Sequence, residues 1–314
     1  MTRLARRVAE RVVGVDAVGA SLRRLGAARG RSLVVLYHRV ADGPASSHEV
    51  VPTVPAPLLR RHAEALAEVG DVVPLADLLE PASKTAPVRF ALAFDDDYRS
   101  HVDHALPTLL DLGVPATFFL SGRALHGLGR YWWEVLEDRI ADEGVEAAAQ
   151  SLGLPPAAPA ELALACEEDP DRQATLERDP GPAAGHLDAE ALTRLSHPLA
   201  TIGFHTLRHP VLTRLSAPDL GRALTEGRDR LANHVGRPLD VFAHPHGKAD
   251  ARVAAATRRA GYRAAFTGRA EPLRPADDRH LLGRWEPGPV SVDGLLVRAS
   301  WRLQRPTPRG FAWR

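Results

Sequence analysis

Residues 88–97 read VRFALAFDDD. The first seven are apolar except for Arg89, and such a run reads as a strand buried within a sheet. It ends on three consecutive carboxylates, Asp95, Asp96 and Asp97. Like charges crowded in a cleft repel unless a cation or a proton compensates them. The alternative is a solvated loop with one helix cap. Adjacent carboxylates can also divide labour: one binds a metal while its neighbour stays free as a base.

Outward from this strand, further apolar runs at 33–37 (LVVLY), 116–120 (ATFFL), 200–204, 240–243, 264–267 and 280–285 read as strands. Helical spacing is predicted at 57–69, 104–112, 188–195, 217–235, 249–260 and 292–303, with Gly113 and Gly261 as stops and Asp188 as a cap. Strands alternating with helices argue for a parallel sheet, and seven or eight such units commonly close into a barrel. From about 123 to 187 the pattern changes. Residues 131–153 look helical and 155–185 are rich in Ala, Pro and acid, which reads as an inserted helical excursion with loose connections. The barrel is expected over 31–304, after an N-terminal helical segment (1–30) and before a short tail (305–314).

Composition narrows the chemistry. A net charge of +1 gives no strong field towards nucleic acid or acidic membrane. The 38 arginines against two lysines, Lys84 and Lys248, read as the mark of a GC-rich genome. One cysteine, Cys166, permits neither an intramolecular disulfide nor a cysteine-based zinc cluster, and is expected to be inert. Any metal site must use His and carboxylates. No run of 18 apolar residues suggests a transmembrane helix. Residues 1–30 lack a compact apolar core like that of a signal peptide, so a cytoplasmic location is expected. That segment is Arg-rich and weakly amphipathic: the polar face of an ordinary helix, or a peripheral contact with a membrane or partner.

The polar clusters fall after strands. Asp95–Asp97 follows one, His205 to His209 (HTLRH) another, His244 to Gly247 (HPHG) a third, and His38 ends the first. In parallel α/β barrels the C-terminal ends of the strands carry the active site. His205 and His209 have the four-residue spacing of one helical face, but Pro210 disfavours helix there, so a turn is predicted. On spacing alone this pair is weak support for a metal.

The segment FALAFDDDYRSHVDHALPTLLDLGVPATFFLSG resembles the first motif of the polysaccharide deacetylase (NodB-homology) family, carbohydrate esterase family four. IGFHTLRHPVLT resembles its His-Ser/Thr-x-x-x-His motif, VFAHPHGK its third, LVVLYHRV an opening strand and GYRAAFTG a later one. The resemblance runs from about 33 to 285, broken by the insertion. It implies a deformed (β/α)7 barrel and a divalent ion, Zn2+ above all, with Co2+, Mn2+ or Ni2+ as others. It implies removal of N-acetyl groups from a poly- or lipid-linked sugar. Asp95 matches the base that takes a proton from the metal's water, and Asp96, His205 and His209 match the metal ligands. A backbone N–H, that of His246, matches the oxyanion donor.

Three departures stand out. Asp97 occupies the usual glycine position, where it binds substrate or, preferably, caps the next helix. Phe242 replaces the Arg that holds the base, and Arg284 could substitute for it by position. The final Leu-x-His motif is not evident. His280 starts its strand, at the wrong end, leaving His38 or His246 as candidate general acid. Tyr98, Pro245 and Trp285 are further candidate substrate contacts. Of Trp132 and Trp133, adjacent on a helix and so pointing about 100° apart, one is expected in the core and one could stack on a sugar. O-deacetylation, hydrolysis of another amide, or noncatalytic sugar binding on the same barrel are the alternatives. The oligomeric state is not legible.

Overall fold

The computed structural model describes residue 22 and residues 31–43, 46–80, 87–178 and 185–304. Apart from Leu22, the N-terminal segment expected at 1–30 lies outside the described residues, as does the 305–314 tail.

Among the described residues, nine strands follow in chain order: β1 (Ser32–Tyr37), β2 (Arg39–Ala41), β3 (Thr53–Pro55), β4 (Asp71–Val72), β5 (Arg89–Asp95), β6 (Ala116–Leu120), β7 (Ala200–Phe204), β8 (Val241–Ala243) and β9 (Ala264–Phe266). Seven form one sheet, in the order β1-β5-β6-β7-β8-β9, with β4 on the first two residues of β5. Every pairing in it is parallel. β2 and β3 make a small parallel pair of their own.

The last expected strand, 280–285, is not continuous. It crosses the gap between β9 and β1 obliquely. Leu282 bridges to Phe266 and Trp285 to Val35, both in parallel sense, while Gly283 and Arg284 between them carry no bridge. The backbone bonds are Leu282 N to Ala265 O, Thr267 N to Leu282 O, Trp285 N to Val34 O and Leu36 N to Trp285 O. The sheet thus curls into a deformed barrel that these two bridges close.

The period-2 alternation of a strand sorts side chains into two layers. Leu33, Val35 and Tyr37 of β1 face the outer helices; Val34 and Leu36 face the barrel interior. Phe90, Leu92 and Phe94 of β5 likewise face out, and Ala91 and Ala93 face in. The next inward position on β5 is residue 95. Gly203 of β7 faces inward against the ring of Phe119, so the next inward position there is residue 205. The same alternation that buries the core therefore aims Asp95 and His205 into the barrel mouth.

Several boundaries differ from expectation. The helix after β5 starts as a π-helical turn, His101–Ala105, before Leu106–Asp111. The helix predicted at 217–235 is two, Ala217–Ala223 and Arg228–Val235, separated around Gly227 with φ +81°. Asp188 does cap its helix, accepting from Ala191 N.

The insertion folds around its own core. Helices Trp132–Glu143, Val145–Ser151, Pro159–Glu167 and Pro170–Glu177 enclose Leu136, Ile140, Leu162, Cys166 and Leu176. Between these four helices the connections are ordered turns, and residues 179–184 lie outside the described residues. Pro159 and Pro170 open helices, where a missing N–H costs nothing, and Asp169 caps the fourth. Gly144 turns the chain between the first two at φ +84°. Cys166 is buried there, its thiol pushed up to about 11 by burial.

Candidate active site

Among the described residues, four that are not glycine have positive φ: Asp96 (72°), Thr206 (62°), His209 (53°) and His246 (57°). All four lie in the loops at the barrel mouth. Such backbone is costly and persists where the surroundings enforce it, often at functional sites. At Asp96 it turns the chain off β5 while the Asp96 N–H still donates to Phe119 O. Around His209 it makes a turn, tied by His209 N donating to Thr206 Oγ1 at 3.1 Å.

The result is a triangle of ligand atoms. His205 Nε2 and His209 Nε2 are 3.1 Å apart, and each is 3.7 Å from Asp96 Oδ1. His205 Nδ1 donates to Ala243 O at 2.9 Å, which fixes the tautomer and leaves a lone pair on Nε2. Asp96 Oδ1 and His209 Nδ1 are buried without a hydrogen-bond partner. Burial lowers the pKa of both histidines, favouring neutral rings. Burial, joined by Asp95 and opposed by His38, pushes Asp96 up to about 8. Three ligands about 2.1 Å from one tetrahedral centre would stand about 3.4 Å apart. The observed edges bracket that spacing, the donors are neutral imidazoles and a carboxylate, and the orphaned oxygen needs a positive partner. The residues fit a divalent ion.

Asp95 stands beside this triangle, its Oδ2 3.7 Å from His205 Nε2. Arg284 grips it in a fork, Nη1 to Oδ1 at 2.5 Å and Nη2 to Oδ2 at 2.8 Å. Burial alone would raise the Asp95 pKa, but Arg284, followed by His205, holds it below the usual carboxylate range. Arg284 is itself buried and lies over the ring of Phe119. Across the pocket, His38 Nδ1 donates to Glu286 Oε1 at 2.7 Å. Burial pulls the His38 imidazolium down, but Glu286 and then Asp96 and Asp95 outweigh it and raise its pKa to about 9. His246 differs: burial, only partly offset by Glu167, lowers it to about 4, and its Nε2 donates to His209 O. All these groups line one cavity of about 480 Å³.

A sequence profile described as polysaccharide deacetylase matches residues 82–178 and 182–265. The chain belongs to the polysaccharide deacetylase family. No curated protein sequence matches it. Among solved structures it is similar to Streptococcus pyogenes deacetylase PplD in complex with acetate (TM-score 0.60, 14% identity, covering 88% of this chain and 99% of that one). It is also similar to IcaB from Ammonifex degensii (TM-score 0.59, 20% identity, 88% and 99%). A de-N-acetylase from Aggregatibacter actinomycetemcomitans has TM-score 0.55 at 16% identity, with 83% and 95% covered. At these identities the likeness is one of fold, the deformed barrel described above. Polysaccharide deacetylases are hydrolases acting on the C–N bond of N-acetyl groups, and they use a divalent metal.

Four expected substrate contacts lie elsewhere. Asp97 is buried and neither lines the pocket nor caps the next helix. Its carboxylate accepts from Ser121 N, Gly122 N and Arg123 N, closing the turn after β6, because the reversed backbone at Asp96 swings it that way. The Tyr98 hydroxyl is buried and accepts from Trp133 Nε1 at 2.9 Å. Trp285 faces outward, as the residue between inward Arg284 and Glu286 must, with Arg302 over its ring. Pro245 is buried behind the pocket-lining His246 and Gly247. The tryptophans do not divide as expected: Trp132 and Trp133 both join the insertion core and both reach the pocket. Phe242 is core, packed on Phe204 and Tyr262, and His280 is buried with Nε2 donating to Tyr262 O.

Glu286 was missed by the sequence reading. The signal was its spacing of two from Arg284, which puts both side chains on one face of an extended segment. Val50, Val51 and Glu167 also line the pocket, and no local pattern marks them.

Proposed function

We propose that the protein removes N-acetyl groups from an N-acetylated poly- or lipid-linked sugar, with Asp95 as base and His38 as acid. The observation that carries this is the pairing of an Arg-clamped carboxylate with the Asp96–His205–His209 triangle, 3.7 Å away through His205. A divalent ion held by those three residues, best suited by Zn2+ for this nitrogen and oxygen donor set, would acidify water and polarise a carbonyl.

The chain's own groups then divide the work. Arg284 keeps Asp95 ionised and fixed, so that it accepts a proton from the water attacking the acetyl carbon. The His246 backbone N–H, on the rim next to His209, is the proposed donor to the oxyanion. As the C–N bond breaks, His38, protonated at neutral pH and oriented by Glu286, gives its proton to the departing amine. The products are acetate and the free amino sugar. The neutral His246 ring is a poorer acid than His38, which favours His38 for this step.

The test is acetate release from N-acetylated sugars by metal-loaded protein. Asp95→Asn should lower release by at least about a hundredfold, the scale of a lost general base, while metal content is unchanged. Absence of release by the wild-type protein from every N-acetylated sugar tried would refute the reading; loss of metal in the variant would reverse the two aspartates' roles.

A further inference from the structure

One wall of this pocket is apolar, and two segments outside the barrel build it. Helix Pro159–Glu167 of the insertion presents Ala160, Ala163 and Leu164 to the cavity, positions of a single helical face. Trp132 continues the wall, and Val50 and Val51, from the loop between β2 and β3, pack against the same insertion core. Leu164 is 53% exposed, the only large apolar residue so exposed among those described.

Few polar groups of the wall are open to a ligand. Val50 N and Val51 N both donate to Glu137 Oε1, at 2.6 and 3.0 Å. Glu167, at the end of the helical face, is 2.6 Å from Lys248 Nζ. The one side-chain donor among the six lining residues, Trp132 Nε1, is buried and unpartnered. A second sugar ring laid here would bury several hydroxyls with almost nothing to pair them. Each hydroxyl left so weakens binding roughly tenfold or more. An aliphatic chain carries no such penalty, and each methylene it takes out of water favours binding about fourfold.

We propose that this wall receives an aliphatic aglycone: the substrate is an N-acetylated sugar joined to an alkyl or isoprenoid chain, not an internal unit of a glycan. The acetamido group meets the polar floor, and the chain runs along Ala163 and Leu164 towards solvent. This rests on the deacetylase reading and chooses between its two substrate classes.

The test compares binding of methyl and octyl N-acetyl-β-glucosaminide and of chitotetraose to the metal-loaded protein. Tryptophan fluorescence reads it, with the octyl compound below its micelle-forming concentration. The octyl glycoside should bind at least about tenfold tighter than the methyl one, and chitotetraose no tighter than the methyl one. Leu164→Asp, at an exposed position and so compatible with folding, should pull the octyl-to-methyl ratio towards one. Equal binding of the two glycosides, including none by either, overturns the inference, as does chitotetraose binding more tightly than the octyl compound. Acetate release from the methyl glycoside is measured in parallel. Its presence without an octyl preference sinks the aglycone alone, whereas its absence counts against deacetylation itself.

Discussion

Glu286 decides what His38 can do. Without a carboxylate at 2.7 Å, burial would leave the His38 ring neutral; with it, the pKa rises to about 9. Glu286→Gln removes the largest raising cause, so the pKa should fall towards or below the ordinary 6.5. In the metal-free protein a histidine NMR titration reads this shift directly. The stability consequence has a definite sign. A folded-state pKa above the unfolded one gives stability that is complete below about pH 6.5 and lost as pH rises through about 9. Wild-type Tm should therefore decline across that window more than the variant's does. In the active enzyme the alkaline limb of kcat should move to lower pH in Glu286→Gln; an unmoved limb would remove His38 as the acid. Asp95 and Asp96 declare themselves because charges break an apolar run. Arg284 is legible only by position, since its partner stands 189 residues away in the chain. His38 shows its strand end but not its partner.

At the scale of elements, β7 shows how packing reaches the chemistry. Gly203 faces the barrel interior, and a Cβ there would clash with the Phe119 ring and sit 3.0 Å from Val241 Cγ2. Phe119 pairs in register with Asp95 and carries the Arg284 guanidinium over its ring. Gly203→Ala therefore displaces the Phe119 ring over which the Arg284 guanidinium lies. It should cost about 1–3 kcal/mol of stability, the usual penalty of overpacking, and also lower kcat. Denaturant unfolding and acetate release measure the two effects; loss of stability with kcat intact would mean that the ring yields away from the fork. Strands such as β6 and β7 were legible to the residue, because burial on both faces writes an apolar run. The 280–285 segment was not, since apolar content alone does not say whether one neighbour or two lie within hydrogen-bond reach. The break near Gly227 was missed because the apolar spacing resumes in phase beyond it.

Over the whole molecule, the triangle of ligands brings two segments far apart in the chain together at the barrel mouth. Asp96 follows β5, His205 and His209 follow β7, and their ligand atoms converge on one point. The buried Asp96 Oδ1 has no hydrogen-bond partner within the chain. An ion that binds this folded arrangement and not the unfolded chain must raise stability by mass action, by about 2.7 kcal/mol at a hundredfold excess over its Kd. For a chain of this size that corresponds to a Tm increase of roughly 5 °C. Zn2+ should therefore raise the Tm of chelator-treated protein by that amount, and a chelator should reverse it. Asp95→Asn, which leaves the triangle whole, should keep the increase. His209→Ala removes one of the three ligands and should lose most of the increase along with bound metal. The two variants separate ligation from catalysis, since both abolish turnover and only one should abolish the thermal response. An undiminished response in His209→Ala would place the ion elsewhere and dissolve the triangle as a metal site.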